Sequence, residues 1–220
     1  MARDKYTEHN YKQFVNVIKP ALKGKDATRV ADVLIERYGS IENVMSADRA
    51  ELCELVGEGV AVYIKVLGAV TSRRYTADFE LGARHTRAQV AEYFKALFLS
   101  ESVECVYAML LGDDGEALDT KLISRGTVNS SDVIPRRILE AAIDGNSHRV
   151  ILAHNHPHGL AKASEDDVRL TTCVADVLSL VGIKLEYHLV IAGEECDVVS
   201  FKGVADVGAG VGKVASSPMS

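Results

Sequence analysis

The residues from Arg149 to Asp167, RVILAHNHPHGLAKASEDD, pass from an apolar run to a polar, acidic segment within one short stretch. The run from Arg149 to His154 has the length and composition of a buried strand, and Pro157 ends it because proline cannot continue a strand ladder. Ser164 then precedes three consecutive acidic residues, the pattern of an N-cap and an acidic first helical turn. A strand, a loop and a helix are therefore predicted in direct succession, as in an α/β domain.

Two histidines lie at the end of this predicted strand. His154 and His156 are two residues apart, so their side chains project to the same side. Asp167 lies in the first turn of the next helix, and a chain that reverses across the strand end brings its carboxylate to the same point. Two imidazoles and one carboxylate leave a tetrahedral zinc ion with an open fourth position, as in catalytic sites. Alternatively, hydrogen bonds satisfy the histidines and the acidic residues only stabilise the helix.

Strands and helices continue to alternate on both sides of this stretch. The predicted elements are a helix in AQVAEYFKALF, strands at Glu104 to Leu111 and Glu116 to Ile123, a helix from Arg136 to Ile143 capped within Ser130 to Asp132, the strand above, a helix from Glu165 to Leu180, and closing strands at Ile183 to Ile191 and Val198 to Phe201. This pattern predicts an α/β fold with a mixed β-sheet flanked by helices.

The first part of the chain predicts a small all-helical domain. From Glu8 to about Tyr75 the apolar residues recur at helical spacing, which indicates at least four short helices. Gly39 stands where a helix C-cap belongs, and Ser46 stands where the N-cap of a later helix belongs. We therefore expect a helical domain at residues 1–80, the α/β domain at 86–202, and a loose Gly- and Ser-rich tail at 203–220.

Gly57 and Gly59 predict a tight turn between two of these helices, because glycine allows sharp backbone turns that expose amide donors. The pattern resembles a helix-hairpin-helix, which clamps the DNA backbone without reading sequence. Gly57, Gly59 and Lys65 are therefore candidate nucleic-acid contacts. A purely structural hairpin is the alternative, since Glu58 places a carboxylate where a phosphate would approach.

Composition and charge narrow the class of protein. The chain of 220 residues is 47% hydrophobic and 25% charged, which suits a folded protein, and no apolar run reaches the roughly 18 residues of a membrane span. Four widely spaced cysteines without a C-x-x-C pair favour reduced thiols in the cytoplasm. The net charge is −6, with 13 basic and 12 acidic residues in positions 1–85. The one dense basic stretch is Arg73, Arg74, Arg84, His85 and Arg87, which argues against strong nucleic-acid binding.

The order His-x-His, seven residues, Ser, two residues, Asp is met by His154, His156, Ser164 and Asp167. It resembles the signature of the JAMM zinc metalloenzymes of the MPN-domain superfamily. The surrounding sequence is similar to the bacterial RadC family over about residues 86–202. The matching segments are ECVYAMLL at 104–111, SRGT at 124–127, PRRI at 135–138, HNHP at 154–157 and HLVI at 188–191. The helical segment resembles the N-terminal domain of that family more loosely.

The resemblance implies a zinc-dependent hydrolase that cleaves a peptide or isopeptide amide bond in an unidentified protein or peptide. It implies that His154, His156 and Asp167 hold Zn²⁺, that a glutamate on an earlier strand acts as general base, and that Ser164 assists the oxyanion. Glu104 is the position that matches this glutamate, and a carboxylate at the start of an apolar strand is costly to bury without a partner.

Three positions carry open alternatives. Glu101 is the rival base, and Glu104 is otherwise an ordinary exposed strand-end carboxylate. RadC proteins usually carry Ser-Gly-Asp-Pro-Thr-Pro after the His-Asn-His-Pro segment, whereas this chain has His158 to Ala163, so we expect a less rigid loop. An inward swing of His158 would fill the open metal position; the alternative is an exposed surface histidine. Tyr187 stands where an Asp usually precedes the later histidine, His188.

The alternative function is a DNA-associated repair or replication module with a structural or vestigial metal, as the family's DNA-repair label suggests. The near-neutral charge of residues 1–85 implies weak, sequence-independent DNA contact at most. An open ligand set argues against a structural zinc. Neither H-E-x-x-H nor P-C-x-x-C occurs in the sequence, which excludes two other common zinc motifs.

Overall fold

The computed structural model describes residues 5–126, 133–157, 159–199 and 201. The first part is helical, with α1 (Lys5–Ile18), a 3-10 helix (Lys19–Leu22), α2 (Ala27–Tyr38), α3 (Ile41–Ser46), α4 (Arg49–Val56) and α5 (Glu58–Ala77). The second part contains α6 (Arg87–Phe98), β1 (Cys105–Leu111), β2 (Ala117–Arg125), α7 (Val133–Asp144), β3 (Arg149–Asn155), α8 (Glu165–Ser179), β4 (Lys184–Ala192) and β5 (Glu195–Val198). The predicted class, a helical region followed by an α/β domain with a mixed sheet, is confirmed. No helix of these ranges is long and apolar enough to span a bilayer.

A glycine and short polar side chains set the ends of the first helices. Gly39 ends α2 with φ 83°, and its N–H donates to the Ile35 carbonyl, which confirms the predicted C-cap. The N-cap predicted at Ser46 is wrong, because Ser46 is the last residue of α3. Asp48 caps α4 instead, since its Oδ1 accepts hydrogen bonds from the backbone N–H groups of Ala50 and Glu51 at 2.7 and 3.3 Å.

Gly57 makes the turn between α4 and α5 in a single residue. Its φ of 93° lies in the left-handed region that favours glycine, its N–H donates to Cys53, and its carbonyl accepts from Ala61. Gly59 lies in the first turn of α5. The predicted tight hairpin of two helices is therefore present.

The sheet has five strands in the order β2-β1-β3-β4-β5. The pairs β1 with β2, β1 with β3, and β4 with β5 are antiparallel, whereas β3 and β4 are parallel. Helix α8 forms the crossover between the parallel strands and runs back across one face of the sheet. Its N-terminus is thereby carried to the end of the sheet where β3 finishes.

Each face of the sheet has its own core. One face packs against α7 and α8 through residues such as Val106, Leu110, Leu152, Ile138, Val174 and Leu178. The other packs against α6 through Met109, Leu111, Ile151, Leu189, Phe94 and Phe98. The first five helices form a separate core around Ile18, Leu34, Leu52 and Ile64. Below, the two faces are called the α8 face and the α6 face.

The last strand begins earlier than its apolar residues predict. A strand was expected at Val198 to Phe201, but β5 spans Glu195–Val198 and pairs Glu195 with Ala192. Gly193, with φ 56°, opens a two-residue turn that folds the chain back at once. The turn at Gly193 therefore determines where β5 begins. The cap expected at Ser130 to Asp132 and the tail at 203–220 lie outside the described residues.

The segment between the helical region and α6 is held against the sheet. The Gly82 N–H donates to the Ala117 carbonyl at 2.7 Å, the Ala117 N–H donates to Ala83 at 2.8 Å, and Arg84 forms an isolated bridge with Glu116. The ammonium of Lys65 on α5 reaches the Ser100 carbonyl beyond α6. These contacts position the start of α6 over the α6 face.

Candidate metal centre

Strand β3 carries both histidines to the edge of the sheet. The backbone N–H of His156 donates to Ile191 at 2.8 Å and so extends the ladder with β4 one residue past the strand. His154 is 1% exposed, and the His156 side chain is 22% exposed. One histidine is therefore fixed in the core, and the other is partly open to solvent.

The N-terminus of α8 brings Asp167 to the histidines. Ser164 is the N-cap, and its Oγ accepts from the Asp167 N–H at 3.2 Å. The Ser164 N–H and hydroxyl donate to Asp167 Oδ2 at 2.7 and 2.6 Å. This reciprocal capping box fixes the carboxylate and makes the cap part of the site.

Three possible ligand atoms converge here. His154 Nε2 lies 2.9 Å from His156 Nε2 and 3.2 Å from Asp167 Oδ1, and His156 Nε2 lies 3.6 Å from Asp167 Oδ2. Within the described ranges these three residues form the group that could hold a metal ion. The structure thus brings together the three ligands that the sequence spacing indicates.

Hydrogen bonds determine which nitrogen of His156 carries hydrogen. Its Nδ1 lies 3.0 Å from the Leu160 carbonyl oxygen. Because a carbonyl can only accept, Nδ1 must donate, and in a neutral ring Nε2 then keeps its lone pair. That lone pair faces His154 and Asp167.

A longer chain of hydrogen bonds determines which ring nitrogen of His154 carries the hydrogen. The Thr171 hydroxyl donates to the Asp167 carbonyl and lies 2.6 Å from His188 Nδ1, so His188 Nδ1 donates to it. Complete burial lowers the pKa of His188 well below its ordinary value, and nearby His154 lowers it further, so the ring is neutral. His188 Nε2 therefore accepts from His154 Nδ1 at 2.8 Å, which leaves the His154 Nε2 lone pair facing the cluster.

The result is a set of three acceptors with no hydrogen between them. Burial raises the pKa of Asp167, but other contacts, the hydrogen bonds from Ser164 among them, lower it by more, so the carboxylate is an anion well below neutral pH. A proton can bridge two of these atoms, whereas a divalent ion meets all three. Ligand atoms bound to tetrahedral zinc lie about 3.3 Å apart, within the observed range of separations. The residues present therefore fit a zinc ion.

His188 is the residue that the sequence did not identify as part of the site. Leu152 and His188 are register partners in the parallel pair β3 and β4, so His188 lies on the same face as His154. A signal would have been the helix predicted between the two strands, which is typical of a parallel pair, but the register depends on an irregularity between Val150 and Ile151. The imidazole holds the tautomer of a ligand, as outer partners of metal sites do.

Glu104, the candidate base, precedes β1 and is exposed. Its carbonyl accepts from the Gly126 N–H at 2.7 Å, which holds the backbone in line with the strand. The register of β1 and β3 ends at Val106 and His154, and the next N–H, that of Cys105, donates to the Asn155 side chain instead. The role of Glu104 as the base therefore stays a prediction.

Glu101, the rival base, lines a small cavity together with His156. Its side chain is buried, with Oε2 2.9 Å from Arg125 Nη2. The carboxylate also lies close to Cys105 on the α6 face. Burial raises the pKa of the Cys105 thiol to about 12, and the negative charge of Glu101 contributes to this rise. The choice between Glu104 and Glu101 as the base therefore stays a prediction.

The candidate nucleic-acid contacts lie in the helical region. Gly57 and Gly59 stand at the turn before α5, beside the exposed carboxylate of Glu58. The Lys65 ammonium donates to the carbonyls of Met45, Ala47 and Ser100 at 2.8, 3.0 and 3.4 Å. These contacts engage its three N–H donors within the protein and do not favour a phosphate contact. His158 lies outside the described residues, so its predicted movement stays a prediction.

Comparison with known proteins places this site in a family. The model of the RadC-like JAB domain matches residues 84–206. A UPF0758 protein of Aliivibrio fischeri is 30% identical over 191 residues, which cover 84% of this chain and 83% of the relative. UPF0758 proteins of Photobacterium profundum and Vibrio vulnificus are also 30% identical and cover the same shares. The chain belongs to the RadC-like JAB domain family.

Proposed function

We propose that this protein is a zinc-dependent hydrolase of the JAMM type that cleaves a peptide or isopeptide amide bond. The observation that carries the proposal is the convergence of lone pairs from His154, His156 and Asp167: the ring hydrogens of both histidines are directed elsewhere, and the Ser164 hydroxyl holds the ionised carboxylate in place. Three protein ligands leave a fourth coordination position, which is the composition of catalytic rather than structural zinc sites. When bound, zinc supplies a Lewis acid that acidifies water toward pKa 7 and polarises a carbonyl group.

Glu104 is the group that we assign to proton transfer. Its exposed carboxylate lies two residues before Val106, the residue of β1 that pairs with His154. It would take a proton from the attacking water and later deliver it to the leaving amine.

In the structure the Ser164 hydroxyl binds the Asp167 carboxylate, and an oxyanion role would require it to turn. Its hydroxyl hydrogen is directed to Asp167 Oδ2 at 2.6 Å. An oxyanion role requires the hydroxyl to turn toward the substrate, and the backbone N–H of Ser164 then continues to hold Asp167 at 2.7 Å. The two donors of one residue can thus divide the two tasks.

The proposed location is the cytoplasm. Cys53, Cys105, Cys173 and Cys196 are all free thiols. Unpaired cysteines at this number fit a reducing compartment.

Hydrolysis of an internally quenched peptide library by the zinc-loaded full chain tests the proposal, with Glu104→Gln as the informative variant. The substitution removes the proton acceptor without touching a ligand, so zinc content stays at the wild-type value and cleavage falls about 10² to 10⁴-fold. Glu54→Gln, which alters an exposed carboxylate on α4, is the matched control and leaves cleavage unchanged. Cleavage by Glu104→Gln at the wild-type rate would contradict the assignment of the base, and absence of zinc-dependent cleavage by the wild type would contradict the function.

A further inference from the structure

A second site lies on the α6 face, at the end of β3 that is remote from the metal centre. A cavity of about 160 Å³ opens there between the start of α6 and the ends of the central strands. Its lining includes Arg149, the first residue of β3, which is five residues and therefore about 16 Å along the strand from His154. The cavity and the metal centre also lie on opposite faces, so the cavity is separate from the metal centre.

The floor of the cavity is apolar and partly aromatic. Met109, Leu111 and Ile151 reach it from β1 and β3, Val90 from α6, and Tyr187 from β4. These residues belong to the core of the α6 face, and their side chains hold the floor rigidly. A ligand that fills this space must therefore present a flat apolar group.

The rim of the cavity is cationic. Arg84 and Arg149 line it, and the Arg87 guanidinium stands 5.0 Å from the centre of the Tyr187 ring. Among the described residues neither Arg84 nor Arg87 has an ion-pair partner. Guanidinium groups that are free of carboxylates are suited to bidentate binding of a phosphate.

The carboxylates around the cavity do not cancel this charge. Glu186 is the carboxylate that lines it, and it is shared by Arg149 Nη1 at 3.3 Å and Lys184 Nζ at 3.0 Å. Glu116 pairs with Arg84 through the backbone, while its side chain packs against Gly112 in the neighbouring turn. Positive charge therefore exceeds negative charge at the rim.

The segment that carries Arg84 and Arg87 is fixed in place. The His85 ring stacks on Phe79 with the centroids 3.9 Å apart, and one ring nitrogen donates to the Glu80 carbonyl. Thr86 caps α6 through a reciprocal capping box with Gln89. The two guanidinium groups thus project from a preorganised backbone, which lowers the entropic cost of binding.

We propose that this cavity binds a small organic phosphate that carries a planar ring, of which a nucleoside monophosphate is the simplest example. The phosphate lies at the rim against Arg84 and Arg87, and the ring lies on the apolar floor beside Tyr187. The cavity is larger than a phosphate ion, so the anion alone does not fill it. Its volume is smaller than that of a site that encloses a whole drug-sized ligand, so the cavity takes the ring and the phosphate stays at the rim.

Calorimetric titration of the full chain with AMP, adenosine and inorganic phosphate tests the proposal. AMP should bind about tenfold or more tightly than either adenosine or phosphate, since only AMP uses both rim and floor. The double variant Arg84→Gln, Arg87→Gln should weaken AMP binding about tenfold or more. Both side chains reach solvent, so the variant should keep the wild-type melting temperature.

The matched control is Arg73→Gln, Arg74→Gln, which removes the same charge from an exposed part of α5 outside the cavity and should leave AMP binding unchanged. Equal losses in the two double variants would overturn the proposal, because they would indicate unspecific attraction of anions. Phosphate binding as tight as AMP binding would also overturn it. So would an oligothymidylate that binds more tightly than AMP and is weakened by both double variants, since that result indicates a surface for nucleic-acid strands.

Discussion

At the C-terminal end of β3, three acceptor atoms of His154, His156 and Asp167 face one another without a hydrogen between them. Near the N-terminal end, the guanidinium group of Arg84 lines a cavity and that of Arg87 stands over the Tyr187 ring, and neither has an ion-pair partner in the described chain. Lone pairs are thus in excess near one end of the strand and N–H donors near the other. At the metal end the groups are buried or half-buried, so a missing counterpart costs free energy, whereas at the other end the arginines reach solvent and the cavity beside them is what supports the proposed anionic ligand.

Lys65 shows what a satisfied site looks like in the same molecule. Its ammonium meets three carbonyl oxygens of the protein, and burial lowers its pKa below the ordinary value. Donors and acceptors match there, so no ligand is required. Lys65 thus differs from the polar groups near the two ends of β3, for which we propose ligands.

The first prediction concerns the metal end and has the largest expected effect among the residues that do not themselves hold the metal. Thr171→Val removes the hydroxyl that fixes the tautomer of His188 and, through it, the orientation of His154. We expect zinc affinity to fall about 10 to 100-fold, as for other outer partners of metal sites. Competition with a chromogenic chelator measures it.

Thr172→Val is the matched control, because the Thr172 hydroxyl only donates to the Val168 carbonyl on the exposed side of the same helix. Thr171→Ser, which restores a hydroxyl, should recover most of the affinity. Equal zinc affinity in Thr171→Val and Thr172→Val would remove the positioning role of this hydrogen-bond chain.

The second prediction concerns the satisfied site. Lys65→Met removes hydrogen bonds to three carbonyls and should lower the free energy of unfolding by about 1 to 3 kcal/mol. Lys12→Met, which breaks an exposed ion pair with Glu8, should cost about 1 kcal/mol or less. Urea denaturation gives both values, and a cost for Lys65→Met no larger than that of the control would show that these contacts do not hold the helical region to α6.

The third prediction compares the caps of the two helices that flank the two ends of β3. Ser164→Ala and Thr86→Ala each remove the side chain of a capping box and should each lower the free energy of unfolding by about 1 kcal/mol. Only Ser164→Ala should also weaken zinc binding, because the Ser164 hydroxyl holds Asp167. Equal zinc affinity in the two variants would reduce Ser164 to a helix cap.

Local spacing sufficed to predict the parts of the site that lie close in sequence. Two histidines on one strand face and a capped acidic turn indicate His154, His156 and Asp167 without knowledge of the sheet order. The role of His188 was not predicted, because its contact with His154 spans 34 residues and depends on the parallel register of β3 and β4. Interactions set by tertiary register carry no periodic signal in the sequence.

The distinction between local spacing and tertiary contacts also applies to the fold and to the cavity. The helical and α/β regions follow from apolar spacing, whereas Ser46 and the last strand were misplaced because neighbouring residues, Asp48 and Gly193, offer stronger cap and turn chemistry. The basic stretch around Arg84 was visible in the sequence, but nothing near it predicts that Arg149 lines the same cavity. Folding brings them together across 65 positions of chain.

The most direct test of the central claim is a zinc titration of the metal-free full chain, compared with variants of the ligands. Wild type and His148→Ala, which alters an exposed histidine, should each bind one zinc per chain with equal affinity. His156→Ala and Asp167→Ala should lose at least about 100-fold in affinity, more than the loss of an outer partner causes. Zinc binding by His156→Ala and Asp167→Ala as tight as that of wild type would contradict the account, because the converging lone pairs would then not be the metal site.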